Sequence, residues 1–337
     1  MAEGGPAWPG GKRFAFTIVD DTDCSTLANV RPVYDLLQDL GFRTTKTVWP
    51  LAPWQPTFTG GATLADPDYL KWTLALRDAG FEIASHGATD HSSERADTLR
   101  GLNAMREVYG ADPRMHITHC SQQEGLYWGA ARFSGAVARL YGLLRLVGRR
   151  SWRSSGHEPD SPYYWGDLCA ARLKYVRGFG FDTICTTSAD PYMPYHDPAR
   201  PDVPYWFSAA NARSIPSFLE LLSEASQEQL ETSGAGCIVY THFALGFMKG
   251  GALEPRFRAL MERLAQRPGW FVPASDLLDH LAGRPGRGGA LMPSQHARLQ
   301  RRFLVERVAG RDNHLGDVML RARATLRRRF AAGGARS

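Results

Sequence analysis

Three acidic residues follow an apolar segment near the start of the chain. Phe14 to Val19 are apolar or β-branched, which predicts a buried strand, and Asp20, Asp21 and Asp23 come directly after it. Because side chains alternate along a strand and carboxylates are almost never buried unpaired, neighbouring acids at its end cannot both point into the core. The pattern favours a charged site at the carboxyl edge of a sheet, where α/β folds keep their chemistry. The alternative is an acidic turn in which Asp23 caps the next helix.

Histidines stand at the ends of three further predicted strands. His86 and His91 share one loop, and two imidazoles facing a pair of carboxylates supply the N, N and O ligands of a catalytic zinc site. His119 lies at the tip of the next strand, where alternation directs it toward the site and makes His116 a packing residue. His242 follows a later apolar strand, and we expect it to face the same edge.

The elements that must position these residues alternate regularly. Strands and amphipathic helices follow one another in about seven or eight β-then-α units, which predicts an α/β fold, a parallel barrel or partial barrel. The alternation is interrupted by an insertion at 120–160, which contains a predicted packed helix, Ser134 to Arg150. The predicted strands are 14–19, 43–49, 81–85, 115–118, 182–187, 204–208, 237–241 and 270–272, and the later predicted helices are 166–177, 215–224, 255–265 and 275–282.

The composition limits the classes of protein to which the chain can belong. Its 337 residues suffice for one large domain or two smaller ones, and five cysteines without a CxxC pair argue against a disulfide framework or a thiolate zinc site. We find no leader-like apolar segment after Met1 and no apolar run of membrane length. A cytoplasmic location is therefore the expectation.

The positive charge belongs to the end of the chain. Residues 284–337 contain thirteen Arg, no Lys and three acids, a net charge of +10, although the whole chain carries only +6. Two helices are predicted there, Ala297 to Val308 and Asp317 to Phe330. A basic amphipathic helix can lie on the barrel or contact an anionic membrane, and nonspecific nucleic-acid binding ranks last because no nucleic-acid fold signature accompanies it.

Three motifs resemble those of the polysaccharide deacetylase family, the NodB-homology family or carbohydrate esterase family four. Phe16-Thr-Ile-Val-Asp20-Asp21-Thr22 is similar to its Thr-Phe-Asp-Asp-Gly motif, Glu82 to His91 is similar to its second, histidine-containing motif, and Ile238 to His242 is similar to its last motif. The resemblance implies a distorted (β/α)7-8 barrel over residues 13–282. Residues 1–12 would then be a disordered N-terminus, and 283–337 a linker with a basic helical C-terminal tail.

The resemblance also implies roles for individual residues. Asp20 matches the general base and His242 the general acid, while Asp190 stands where the family keeps the acid that tunes this histidine. Asp21, His86 and His91 match the metal ligands. We further expect His119 and Trp165 to contact the substrate. Zinc is the expected metal, with cobalt, nickel or manganese as alternatives.

The sequence departs from the family pattern at the second and third motifs. His86 and His91 stand five residues apart where the family has four, and no Arg-x-Pro third motif is present. Two outcomes therefore stay open for the metal site: Asp90 or His119 joins it, or the site is lost.

Two functions follow as hypotheses. The first is a metal-dependent hydrolase that removes an N- or O-acetyl group from a carbohydrate or glycolipid precursor, with peripheral membrane contact through the Arg-rich tail as a further expectation. The second is a catalytically degenerate barrel that acts as a glycan-binding or scaffold protein.

Overall fold

Seven parallel strands close into a barrel in this computed structural model, which describes residues 8–139 and 153–309. Each strand pairs with the next one in the chain, and the seventh returns to pair with the first. Their bounds are Phe14–Asp20 (β1), Thr45–Val48 (β2), Glu82–Ser85 (β3), Met115–His116 (β4), Tyr175–Phe181 (β5), Tyr205–Asn211 (β6) and Gly236–Thr241 (β7). The α/β barrel predicted from the sequence is confirmed.

The first strand, β1, has a divided edge, meaning that two different strands pair with it on the same side. β1 pairs with β7 from Ala15 to Asp20 on one side. On the other side, Phe14–Phe16 pair with an eighth parallel strand, Gly269–Phe271, and only Val19 and Asp20 pair with β2. The barrel is therefore distorted. In chain order a small antiparallel pair, Met248–Lys249 (β8) and Ala252–Leu253 (β9), precedes the eighth barrel strand, which is β10.

Helices separate most of the strands. Apolar side chains of β1, such as Phe16 and Ile18, share one buried cluster with those of the first helix, such as Val33 and Leu37. The helices are Leu27–Asp39 (α1), Pro67–Asp78 (α2), Arg95–Tyr109 (α3), Gly166–Arg172 (α4), Thr186–Ala189 (α5), Ile215–Leu221 (α6), Glu224–Ser233 (α7), Pro255–Ala265 (α8), Ala274–Ala282 (α9) and Pro293–Ala309 (α10). In the part of the chain that the structure describes, none of them is both long and apolar enough to cross a membrane.

The fifth strand differs from its prediction. The strand predicted at 182–187 is a turn that leads into α5, and β5 lies earlier, where the sequence predicts the end of a helix. β5 contains Arg177 and two glycines, which weaken a strand pattern. Gly180 is needed there because a Cβ atom would lie 2.2 Å from Oδ1 of Asn211 on β6.

Both ends of the described chain pack on the barrel. The sequence predicts disorder through residue 12, but Trp8 is buried and its indole N–H donates to the Gly234 carbonyl at 2.9 Å. In the predicted linker, Arg287 donates to the carbonyl of Met193. Leu299 and Phe303 of α10 are buried in the same cluster as residues of β5, so this tail helix docks on the barrel. The second tail helix and most of the helix predicted from Ser134 lie outside the described residues.

Candidate active site

The first acid of the β1 motif faces the helix layer. Asp20 Oδ2 lies 2.8 Å from Lys46 Nζ and accepts the hydroxyl of Tyr34 on α1, and Asp20 Oδ1 accepts the backbone N–H of Phe243 at 2.8 Å. Burial raises the pKa of Asp20, and although burial opposes the shift at Lys46, the Asp20 carboxylate raises the pKa of Lys46 above its ordinary value. Three donors occupy this buried carboxylate, two at Oδ2 and one at Oδ1. Its contacts therefore do not match the role of general base that the motif implies.

The next two acids face the opposite side. Thr26, not Asp23, stands at the N-cap of α1, and its capping box with Asn29 fixes the turn after β1. Asp23 is thus available to the strand ends. Its Oδ1 lies 2.7 Å from His119 Nε2, and its Oδ2 lies 3.1 Å from His86 Nε2.

Attraction between the Asp23 carboxylate and the neighbouring imidazoles stabilises this buried cluster. Although burial opposes it, the Asp23 carboxylate raises the pKa of His119 to about 9. Burial alone would raise the pKa of Asp23, but the imidazoles of His119, His242 and His86 hold it well below its usual range. The rings of His86 and His119 lie 5.2 Å apart, and Trp49 packs against both.

The donor set fits a divalent metal. Asp23, His86 and His119 each offer one ligand atom within 4.8 Å of the others, and Asp23 belongs to a second such group with Asp21 and His242. Two imidazoles and one carboxylate are a ligand set of zinc and of other first-row metals. Nδ1 of His86, Nδ1 of His119 and Oδ1 of Asp21 are buried without hydrogen-bond partners among the described residues, which is typical of functional sites.

His242 adjoins this cluster at the end of β7. Its Nδ1 donates to the carbonyl of Arg213 at 2.9 Å, and its Nε2 lies 3.4 Å from Asp23 Oδ2. Burial would lower the pKa of His242, but the hydrogen bond and charge of Asp23 raise it above the ordinary value. The backbone bond fixes the ring so that Nε2 is the nitrogen that faces the carboxylates.

A buried arginine fixes Asp21. Arg177 on β5 places Nη2 3.6 Å from Asp21 Oδ2, and its guanidinium lies 3.7 Å from the centre of the Tyr240 ring. Asp21 Oδ2 also lies 3.9 Å from His86 Nε2, whereas its Oδ1 is the partnerless oxygen already described. Asp21 therefore has one oxygen in an ion pair and the other buried without a hydrogen-bond partner among the described residues.

The structure does not bring His91 into the cluster. His91 Nε2 accepts the backbone N–H of Trp54 at 3.2 Å, and Nδ1 donates to the Ser92 carbonyl. Its neighbour Asp90 accepts the N–H groups of Thr59 and Gly60, both at 2.8 Å. The loop after β3 thus contributes His86 to the cluster and uses its later residues to hold the chain segment before Gly61.

Two other predicted residues have structural contacts. Asp190 accepts the hydroxyl of Ser208 at 2.6 Å and the N–H of Tyr192, whereas the partners of His242 are the Arg213 carbonyl, Asp23 and the Tyr240 hydroxyl. Trp165 is buried and donates to the carbonyl of Glu124. These contacts do not match the predicted tuning of His242 or the predicted substrate contact.

The structure brings together Asp21, His86, His119 and His242 of the predicted residues, and it adds Asp23 and Arg177. Asp23 could have been found from its spacing, because residues two apart on an extended chain share a side. Arg177 carries a weaker signal, a single charge inside an aromatic segment. A (β/α) barrel with a buried His/Asp centre is the class of protein that this fold and this cluster define.

Comparisons with known proteins extend this description at the level of the fold. No family model matches the sequence, and no curated protein does. Among solved structures, the PuuE allantoinase is 15% identical, with a TM-score of 0.46 and 84% of this chain and 94% of that chain covered. A structure described as a probable polysaccharide deacetylase from Pseudomonas aeruginosa PAO1 is 15% identical, with a TM-score of 0.46 and coverages of 84% and 95%. The peptidoglycan deacetylase PdaC from Bacillus subtilis is 9% identical, with a TM-score of 0.38 and coverages of 79% and 91%.

Polysaccharide deacetylases, the family that the sequence motifs resemble, are thus among the structures that this chain matches. At these identities and TM-scores, the likeness carries no conclusion about the reaction.

Proposed function

We propose that the protein is a metal-dependent hydrolase that removes an acetyl group from a carbohydrate or a glycolipid precursor. The observation that carries this proposal is the group of Asp23, His86 and His119, set beside a backbone-anchored histidine and a carboxylate with one oxygen that has no partner among the described residues. Metal-assisted hydrolysis of an ester or amide uses three components of this kind: a Lewis acid, a base and an acid.

Asp23, His86 and His119 would hold the metal, and zinc suits their N and O donors. When bound, a divalent metal would polarise the acyl carbonyl and lower the pKa of a water bound to it to about 7. Asp21 is the second carboxylate of the site. Its Oδ2 lies 3.9 Å from Nε2 of His86, the nitrogen that also contacts Asp23. The resemblance implies Asp21 and His91 as metal ligands beside His86. In this proposal Asp23 takes the place of Asp21, and His119 takes the place of His91.

Asp21 would act as the general base. Arg177 holds Oδ2, so the carboxylate keeps a fixed orientation and Oδ1 remains able to accept a proton from water. A positioned base of this kind contributes about 10²–10⁴ in rate.

His242 would donate a proton to the leaving amine or alkoxide. The Arg213 carbonyl occupies Nδ1, which leaves Nε2 on the side of the carboxylates. Asp20 supports this residue indirectly, because its bond to the Phe243 N–H fixes the backbone next to His242.

One observation favours the second candidate, a degenerate barrel that binds a glycan or acts as a scaffold. Asp23 contacts the imidazoles of His86, His119 and His242 directly, so the cluster satisfies part of its own charge without a metal. In that case the cluster would serve stability, and neither metal nor acetate release would be detected.

Metal content and acetate release together decide between the two candidates. Wild type purified without added metal is analysed by plasma mass spectrometry and incubated with acetylated hexosamines. His119→Ala is expected to lose both the metal and the release of acetate. The control is His196→Ala, since His196 lies outside the cluster and bonds the backbone carbonyl of Pro204. The absence of both metal and acetate release in wild type would support the second candidate, and release without metal would overturn the metal-dependent mechanism.

A further inference from the structure

The candidate site is closed to solvent. Asp21, Asp23, His86, His119 and His242 are between 0% and 5% exposed, so a substrate cannot reach them in the conformation described. A hydrolase that acts on a residue in the middle of a long polymer needs a groove that continues on both sides of that residue. The residues that cover the site therefore determine which substrates can enter.

The segment 51–61, here called the cover segment, lies over the cluster. The ring of Phe58 is 6.1 Å from that of His119, and the N–H of Cys24 donates to the Gly60 carbonyl at 2.7 Å. A Cβ atom on Gly61 would lie 3.0 Å from the carbonyl oxygen of Thr22. The cover segment thus packs directly on the turn that carries Asp23.

Two side chains of the loop after β3 fasten the cover segment. Asp90 accepts three hydrogen bonds from it, from the N–H and the hydroxyl of Thr59 and from the N–H of Gly60. His91 accepts the Trp54 N–H and stacks edge-on against its ring at 4.3 Å. Both fastenings are polar bonds to side chains, which can open without unfolding the barrel.

The cover segment ends in two glycines and carries two exposed aromatic rings. Gly60 and Gly61 have φ values of +76° and +145°, which L side chains rarely adopt, so the closed conformation of this end requires glycine. The outer surface carries Trp54, 44% exposed, and Phe58, 37% exposed. Two aromatic rings at the edge of a closed polar site suit the apolar face of a sugar ring.

We propose that the cover segment is a lid latched by Asp90 and His91, and that it selects an acylated small molecule or a free chain end over the interior of a long polymer. The selection rests on the proposed hydrolase function, whereas the lid does not. When the lid is closed it encloses the acyl group and its sugar and excludes water, and a polymer that continues in both directions prevents this closure.

The latch is tested by hydrogen exchange and metal release. His91→Leu removes the acceptor for Trp54, and His196→Leu is the matched control outside the lid. Because one backbone hydrogen bond is lost, amides of peptide 51–61 are expected to exchange about fivefold faster in His91→Leu only. Co²⁺ loaded into the same variants is expected to pass to EDTA about fivefold faster as well, with one equivalent of metal still bound.

Two results would overturn the latch: unchanged exchange of peptide 51–61 in His91→Leu, or loss of the metal equivalent, since the latter would make His91 a ligand. If His91→Leu does not fold, Thr59→Val provides the second variant, because it removes the hydroxyl contacts to Asp90 and to the Gly60 carbonyl and keeps both backbone bonds to Asp90. Faster exchange limited to peptide 51–61 supports the lid, and unchanged exchange in this variant overturns it.

The substrate class is tested with wild type alone. Acetate release from N-acetylated hexosamine mono- and disaccharides is compared with release from soluble polymers of the same sugars, per acetyl group. Because the lid cannot close over a polymer, we expect kcat/KM for the polymers to be about 100-fold lower than for the short substrates. Equal values would overturn the selection. No release from any acetylated sugar would overturn the proposed function and with it the selection, while hydrogen exchange would still decide the lid.

Discussion

Asp20 and Phe243 are joined by a hydrogen bond of 2.8 Å from the backbone N–H of Phe243 to the Asp20 carboxylate, and this bond connects the end of β1 to the end of β7. The same carboxylate forms an ion pair with Lys46 on β2. Three strand ends are therefore held together by one buried acid. We therefore assign Asp20 a structural role next to His242, and we assign the proposed chemistry to Asp21 and Asp23.

Loss of this ion pair is expected to destabilise the protein. Asp20→Asn keeps the acceptor for the Phe243 N–H but leaves the Lys46 ammonium buried without its counter-charge, which costs about 3–5 kcal/mol. Urea denaturation followed by circular dichroism measures the loss. The double variant Asp20→Asn/Lys46→Met is expected to recover most of it, and a double variant as unstable as the single one would contradict this explanation.

Asp21 and Asp20 are expected to behave differently in catalysis. Asp21→Asn removes the proposed base and should lower kcat for acetate release by about 10²–10⁴, with little effect on the urea midpoint. Arg177→Met should lower kcat by a smaller factor, because Asp21 remains but loses its fixed orientation, and Arg177→Lys should restore part of the rate. Wild-type kcat in Asp21→Asn would remove the proposed base from the mechanism.

The contribution of Asp190 to stability is expected to fall as the pH rises through the range in which this residue ionises. Burial raises the pKa of Asp190 to about 6, although Ser208 opposes the shift. A buried acid with a raised pKa binds its proton more tightly in the folded state, so its contribution is complete below about pH 4 and is lost up to about pH 6. The loss is on the order of 2 kcal/mol.

Asp190→Asn mimics the protonated acid and tests this directly. Its urea midpoint should change less between pH 4 and pH 7 than that of wild type, and the difference between the two proteins should level off above pH 7. Parallel pH profiles would show that Asp190 titrates as it does in the unfolded chain.

The N-terminal contact is expected to contribute to stability. Trp8 packs near Trp270 and His280 and donates to the Gly234 carbonyl. Trp8→Ala should therefore lower the free energy of unfolding by about 3 kcal/mol, as for other buried aromatic residues. Thermal denaturation checks this value, and an unchanged melting temperature would restore the prediction that residues 8–12 are disordered.

The barrel could be predicted from the sequence because its signal repeats. Strand patterns such as 14–19 and 237–241 and helix 255–265 agree closely with the structure, since buried strands and amphipathic helices impose local periods. β5 was predicted at the wrong place because Arg177, Gly178 and Gly180 break the apolar pattern. These residues are explained by tertiary contacts, because Arg177 faces Asp21 and Gly180 lies against Asn211.

The site could be predicted as a region but not residue by residue. Asp21, His86, His119 and His242 converge as strand ends predict, but which side each acid faces depends on the register of β1. Asp20 and Asp21 face opposite layers, a difference set by Tyr34 on one side and Arg177 on the other. Likewise, His91 and His119 are both plausible ligands in sequence, and only the path of the segment 51–61 separates them.

The divided edge of β1 has a consequence for synthesis on the ribosome. Phe14 is synthesised long before Gly269, its backbone partner on β10, and the following residues of β1 also need β7 as a partner. Because domains with many contacts between distant parts of the chain fold slowly, nascent protein would expose this apolar strand until β7 and β10 have been synthesised. Release from the ribosome, or protection by a chaperone until then, should therefore decide the yield of native protein in the cell.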